Sequence, residues 1–359
     1  MRRTTSTLFT VACLTAVLTA SQGRVGGPGS GPPLPPPPID ASMSPADLTR
    51  GLDGYIEKLA ASGDFAGVVI VSKDGAKVFE QAYGLADRER NIANTPNLRF
   101  NIASIGKAFT RAAIAQLVGQ GKLALSDTIG ARLPDYPTAP AKAATIDQLL
   151  THAVGIVDIF DPRFQSRQPA SGSNADYFRL VAPEPLLFAP GADNQYCNGC
   201  YIVLGEIIAR VSGMPYERYI TERVFKPAGM TGAGFLAYGD PNVALGYRRA
   251  GADLVHDRET DGRRGSAAGG VFARAADLLA FDTALRDGTL LNPKMTAWYL
   301  RVTEEPKGRA DGRNAIAGGT PGANAVMHAR AAWGVFVVSN LDPPSANRLV
   351  PAIGGALAK

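Results

Sequence analysis

The chain has 359 residues, 45% of them hydrophobic and 19% charged, a composition that fits a soluble globular protein with a sizeable core and excludes disorder of the whole chain. Its formal charge of +5 is modest for this length, and the Lys and Arg residues are scattered without basic stripes or interleaved aromatics, so no nucleic-acid partner is indicated.

The N-terminus begins Met1-Arg2-Arg3 and continues into an apolar run from Leu8 to Ala20. A basic start followed by a short apolar stretch and small residues reads as a secretory signal peptide over 1–21, which makes the protein exported, periplasmic or secreted. The run is too short to cross a bilayer, and no later hydrophobic run is long enough, so no stable membrane span is expected. From 22 to 41 Gly and Pro dominate, ending in Pro35-Pro36-Pro37-Pro38, and this stretch reads as an extended polyproline spacer. A single folded domain is expected over 42–359.

Ser44-Pro45-Ala46-Asp47 starts a helix that should run to about Ala61. Two apolar runs, Gly67 to Val71 and Lys77 to Tyr83, flank Lys73-Asp74-Gly75-Ala76, and Asp-Gly between such runs predicts a β-hairpin. Next comes Ser104-Ile105-Gly106-Lys107, opening a helix to about Gln120 with an apolar stripe at Phe109, Ala113 and Leu117. Positions three apart share a helix face. Lys107 can therefore reach back over the Ser104 hydroxyl, and burial of its amine would lower its pKa until it could accept a proton. The pair thus proposes a nucleophile with its own base. A plain serine N-cap is the alternative, but a capping box wants Glu or Gln three residues later, and a cation there opposes the helix dipole by roughly 0.3–1 kcal/mol.

Further along, helices are expected over Tyr201 to Val211, Met214 to Val224 and Ala275 to Leu285, separated by long loops of which Asp158 to Asp193 is the most prominent. Just before the first of these helices lies Tyr196-Cys197-Asn198. A tyrosine near a buried cation loses its proton more easily, so Tyr196 could relay protons while Asn198 hydrogen-bonds Lys107 or a substrate. Standing alone, the pair reads better as a packing tyrosine with a satisfied hydroxyl. Cys197 and Cys200 lack a thioredoxin-like context and read as two small, partly buried residues, with a loop-stiffening disulfide in an oxidising compartment as the alternative. The three histidines, His152, His256 and His328, are far apart in sequence, so no metal site is expected. His152 reads as structural, and His328, on a strand, as solvated.

Towards the C-terminus, Ala323 to Ala329 and Trp333 to Ser339 are strand-like, and a short helix over Ser345 to Ala358 is expected to be interrupted at Pro351. Strands near both ends with helices between them suggest one antiparallel sheet closed by the two chain ends and carrying a helical insertion.

Taken in order, Ser104-x-x-Lys107, Leu149-Leu150-Thr151-His152-Ala153-Val154-Gly155-Ile156, Tyr196-x-Asn198, Ala267-Ala268-Gly269-Gly270 and Gly318-Gly319-Thr320-Pro321-Gly322 resemble the motif set of the class C β-lactamase and penicillin-binding-protein superfamily of serine hydrolases. The resemblance covers roughly residues 45 to 342. It implies an α/β fold of the α+β sandwich type, with a central antiparallel sheet built from both chain ends and flanked by helices, an all-helical lobe and a cleft between the two. The roles it implies are Ser104 as nucleophile, Lys107 as activating base or proton relay, Tyr196 as general acid/base and Asn198 as a polar orienter. It also implies an oxyanion hole from the main-chain N–H groups of Ser104 and Gly319, with Gly318 and Gly319 beside a small ester, amide or peptide substrate, and no cofactor.

The pattern breaks at the third motif. A Lys or His normally opens it, whereas the aligned stretch here is Ile316-Ala317-Gly318. Glu304 to Asn314 also lacks strand alternation, so loss of a strand ahead of the motif is expected. The missing cation disfavours β-lactams and other carboxylate-bearing substrates and favours neutral esters or amides. It also opens an alternative, a catalytically impaired binding or sensor protein that keeps the fold.

Overall fold

Val68 and Ile70 face one side of their strand and Val69 and Val71 the other, and all four are buried, so this strand must lie inside a sheet covered on both faces. The computed structural model, which describes residues 33–167, 172–235, 239–251, 253–258, 265–304, 315–330 and 332–358, shows how. The expected signal peptide lies outside the described residues.

Helix α1 (Pro45–Ala61) starts at an N-cap Ser44 with Pro45 in its first turn and turns Leu48, Leu52 and Ile56 inward. It leads to β1 (Gly67–Lys73) and β2 (Ala76–Tyr83), joined by the expected tight turn, in which Asp74 and Gly75 have φ of +50° and +78°. Short strands β3 (Leu85–Asp87), β4 (Ile92–Ala93) and β5 (Phe100–Asn101) bring the chain to the Ser104 turn and α2 (Gly106–Gly119). The helical lobe follows: α3 (Ile129–Arg132), α4 (Ile146–Leu150), α5 (Asn174–Val181), α6 (Asn198–Ser212) and α7 (Tyr216–Ile220). A ribbon, β6 (Tyr247–Ala250) with β7 (Asp253–His256), precedes β8 (Phe272–Ala273), which pairs with β5. The chain ends with α8 (Ala275–Arg286), α9 (Pro293–Glu304), β9 (Ala315–Thr320), β10 (Ala323–Arg330), β11 (Trp333–Ser339) and α10 (Ser345–Leu357).

The main sheet is antiparallel in the order β2-β1-β11-β10-β9, with Val69 opposite Val337 and Val326 opposite Val337 on the other side. The two chain ends therefore meet at its centre, as expected. One face carries Val69, Val71, Val326, Val335 and Val337 against α1 and α10; the other carries Val68, Ile70, Ala325, Met327, Phe336 and Val338 against a larger core shared with α2, α6 and α8. The active elements lie on this second face.

Three expectations need correction. The stretch from Asp158 to Asp193 is not all loop: it holds α5, whose Ser173 and Asp176 form a reciprocal capping box. Helix α10 runs through Pro351 without a break, because Ala346, Leu349, Val350, Ile353 and Leu357 press it onto the sheet and outweigh the one lost N–H. The third motif lies on strand β9 at the free edge of the sheet, and residues 305–314, where loss of a strand ahead of it is expected, lie outside the described residues. Finally, the end of the Pro-rich stretch is not all free spacer. Ile39 is buried, Leu34 packs on the α1–α10 core, and Tyr55 Oη donates to the Pro35 carbonyl at 2.8 Å.

Candidate active site

Between β5 and α2 the chain makes a tight corner at Ala103, whose φ of +46° is a left-handed conformation that costs a β-carbon-bearing residue on the order of 1 kcal/mol or more. Three bonds hold it: Ala103 N–H donates to Asn101 Oδ1 at 2.8 Å, Gly270 N–H to the Ala103 carbonyl at 3.1 Å, and Ile102 N–H to the Val271 carbonyl at 3.0 Å. The corner runs into a 3-10 turn over Ala103–Ile105 and then into α2, so Ser104 stands at the tip and Lys107 in the first helical turn. Two glycines allow the Ala267–Gly270 segment to press on this corner. A Cβ on Gly106 would come 2.9 Å from Gly269 Cα, and one on Gly269 would come 2.5 Å from the Ala103 oxygen.

That close approach brings a carbonyl to Lys107. Its amine is buried and donates to Asn198 Oδ1 at 2.6 Å and to the Ala268 carbonyl, with Ser104 Oγ at 3.3 Å. Burial pushes its pKa down from 10.5 to about 7, with the negative charge of Asp158 pulling the other way. A neutral amine has two N–H groups and one lone pair. With the two donors taken by Asn198 and Ala268, the lone pair is left for Ser104, which is the arrangement a base requires. Asn198 is itself oriented: its Nδ2 donates to both oxygens of Asp158, at 3.2 and 2.9 Å. Neither Asp158 nor the Ala268 carbonyl was assigned a role from sequence. Asp158 had no local signature, since its function comes only from a contact 40 residues away.

Tyr196 Oη donates to Ser104 Oγ at 2.6 Å, while Lys107 Nζ sits 4.8 Å from the centre of the Tyr196 ring and 5.4 Å from that of Tyr201. Here the electrostatic expectation was wrong. The Tyr196 hydroxyl is not eased towards ionisation but pushed up to about 12, chiefly by burial, with the Ser104 bond opposing and the neighbouring Tyr201 and Asp158 adding to it. Lys107, only partly charged near neutrality, offers less cation to stabilise a phenolate than an ordinary lysine would. Tyr196 is thus a proton donor at neutral pH, although 54% of the residue is exposed.

His152 takes the structural part read for it. With φ of +63° it lies 4.9 Å from the Tyr196 ring and 5.3 Å from that of Tyr201, and its Nδ1 accepts the Cys197 N–H at 3.1 Å. Burial, then the charges of Lys107 and Arg111, hold it down to about 4, so it stays neutral. Cys197 and Cys200 are not separate thiols: they form a disulfide, which corrects the first reading of this pair. His328 lies away from the site, beside Gly354 of α10 on the other face of the sheet.

The opposite wall is β9. Thr320 and Ala323 oppose each other across the two-residue Pro321-Gly322 turn, so the alternation of an antiparallel ladder directs the Gly319 N–H away from β10 to the free edge. Gly318 abuts the nucleophile corner so tightly that a Cβ there would lie 2.7 Å from Ser104 N and 2.3 Å from the Ile102 oxygen. Gly318, the residue before Gly319, thus lies directly against the Ser104 backbone. Ile316, where a cation was looked for, packs against the same core as the site and contributes only hydrocarbon. Among the described residues no cluster of His, Cys, Asp and Glu could hold a metal ion, and no helix is long and apolar enough to cross a membrane.

Residues 52–357 match the β-lactamase family model. The chain is 33% identical over 261 residues to "Putative penicillin-binding protein PbpX" of Bacillus subtilis (strain 168), which covers 71% of this chain but only 62% of that protein, so the chain spans less than two thirds of its relative. Among solved structures, a penicillin-binding protein from Bacillus halodurans superposes with a TM-score of 0.73 at 26% identity, covering 83% of this chain and 98% of the other. EstCE1, a hydrolase with promiscuous acyltransferase activity, gives a TM-score of 0.72 at 22% identity over 89% of this chain and 100% of its own, a likeness of fold.

Proposed function

The chain belongs to the β-lactamase family of serine hydrolases, and on that premise we propose that it hydrolyses a small, uncharged ester or amide through an acyl-enzyme on Ser104. The observation that carries the proposal is the convergence of Lys107 Nζ and Tyr196 Oη on one oxygen, Ser104 Oγ, at 3.3 and 2.6 Å.

In this reading neutral Lys107 takes the Ser104 proton as Oγ attacks the substrate carbonyl. The Ser104 and Gly319 amides receive the oxyanion, a stabilisation of about 3–4 kcal/mol per well-placed donor. As the tetrahedral species collapses, Tyr196 gives its proton to the departing alcohol or amine and regains one from protonated Lys107. Water then attacks the acyl-enzyme: its proton passes through the same pair to Ser104 Oγ as the Ser104–acyl bond breaks, which releases the acid and restores the hydroxyl. Asp158 acts through Asn198, fixing the amide oxygen that holds Lys107.

The uncharged substrate follows from Ile316. A hydrocarbon side chain cannot pair with a carboxylate, and burying an unpaired anion beside it would be costly. We also place the protein outside the cytoplasm, a reading supported by the basic-then-apolar N-terminus and by the buried disulfide.

Steady release of p-nitrophenol from a short-chain p-nitrophenyl ester, lost in Ser104→Ala, is the test. Ile316 also favours one second reading, an impaired protein that acylates without turning over. That reading predicts a single burst of about one equivalent in place of steady release.

A further inference from the structure

We infer that the Cys197–Cys200 disulfide is a covalent clamp that sets the position of the Tyr196 hydroxyl, and with it the rate of proton delivery to the leaving group. The inference rests on the function proposed above. Cys197 is the residue between Tyr196 and Asn198, and its bond runs to Cys200 in the first turn of α6. In helix terms it joins the N-cap to the third helical residue, the same two positions that a capping box links by hydrogen bonds.

Capping alone does not call for cysteine here. The Cys197 sulfur does receive the Cys200 N–H, but a serine or aspartate oxygen would be the better acceptor. What the disulfide adds is a fixed geometry for the backbone of residue 197. That matters because Tyr196 has little packing of its own: 54% of the residue is exposed, and its ring contacts are His152 and the Lys107 amine. The phenol must be aimed through the main chain. At Cys197 that main chain is fixed on two sides, by the N–H bond to His152 Nδ1 and by the sulfur bridge.

Both cysteines are almost fully buried, at 3% and 0% exposure, so the bond is a standing part of the folded site and not one that a passing thiol exchanges freely. It closes only a very short loop, and cross-links of that kind add least to global stability. Its effect should therefore appear in the reaction more than in the melting point.

The test is the double variant Cys197→Ser/Cys200→Ala, which keeps a good N-cap oxygen while removing the bridge. For p-nitrophenyl acetate, kcat should fall about tenfold with KM within twofold. For an alkyl acetate, whose leaving group needs the Tyr196 proton far more, kcat should fall a further tenfold. Amide hydrogen exchange at residues 195–198 should quicken at least tenfold, and this readout does not depend on turnover. Unchanged leaving-group dependence with unchanged exchange would overturn the clamp. So would a variant that unfolds, because the bridge would then hold the fold and not the loop. If the wild-type chain hydrolyses no ester, the proposed function falls, and the exchange measurement still decides whether the bridge fixes the loop.

Discussion

Lys107 lies under the ring of Tyr196, 4.8 Å from its centre, and both side chains end at the same Ser104 oxygen. The two groups are tuned in opposite directions, one amine lowered to about 7 and one phenol raised to about 12. Near neutrality one can accept a proton and the other can only give one.

The pH profile follows from that split. Activity requires neutral Lys107, so kcat/KM should rise with pH through about 7 and then hold level to pH 9 and beyond, because Tyr196 stays protonated. A profile that falls over this range would contradict the assignment.

Lys107 should also mark stability. Its folded pKa lies below the ordinary 10.5, so between about 7 and 10.5 the unfolded chain holds a proton that the folded chain lacks. Stability from this group therefore rises with pH across that window, and its cost is fully present below it. Urea unfolding at pH 7 and pH 9 should show the wild type gaining on Lys107→Met by on the order of 1 kcal/mol per pH unit.

Asp158 raises the Lys107 pKa and holds Asn198. Asp158→Asn keeps the shape and removes the charge, so the acid limb of kcat/KM should move to lower pH. A limb that stays in place or moves up would show that the charge does not reach the amine.

Tyr196→Phe removes the proton donor. Its kcat should drop by about 10²–10⁴-fold, with the larger losses for alkyl esters and the smaller for p-nitrophenyl esters. KM should change little, since the phenol is assigned to the transition state.

Replacing Ile316 by Lys restores a cation on the β9 wall. A charge-assisted bond of about 1.5–3 kcal/mol should lower KM for a carboxylate-bearing ester roughly 10- to 100-fold, leaving neutral esters near their original values. Equal effects on both substrates would separate Ile316 from substrate charge selection.

Much of this site could be read from sequence because its signals are local. Ser104 and Lys107 are one helical turn apart, Asp74-Gly75 announces its hairpin, and the apolar runs at both ends pair as β1 and β11. The parts that escaped depend on distant contacts. Strand β9 is glycine-rich and does not alternate, and it exists as a strand because β10 pairs with it. Asp158 gains its role from Asn198, and Tyr196 gains its high pKa from the depth of its hydroxyl. Two helices did leave marks, the Ser173–Asp176 box of α5 and the Asn292 side chain that accepts the Met295 N–H at 2.9 Å beside Pro293 of α9. The first lay in a stretch whose composition read as loop, and the second in a stretch for which no element was expected.

The central claim is that the chain's chemistry passes through a covalent bond to Ser104. Rapid acid quench of the wild-type protein during turnover of p-nitrophenyl acetate, followed by peptide mass spectrometry, should find one acetyl group on the peptide carrying Ser104 and none in Ser104→Ala. Acetyl on another residue, or hydrolysis undiminished in Ser104→Ala, would contradict the account.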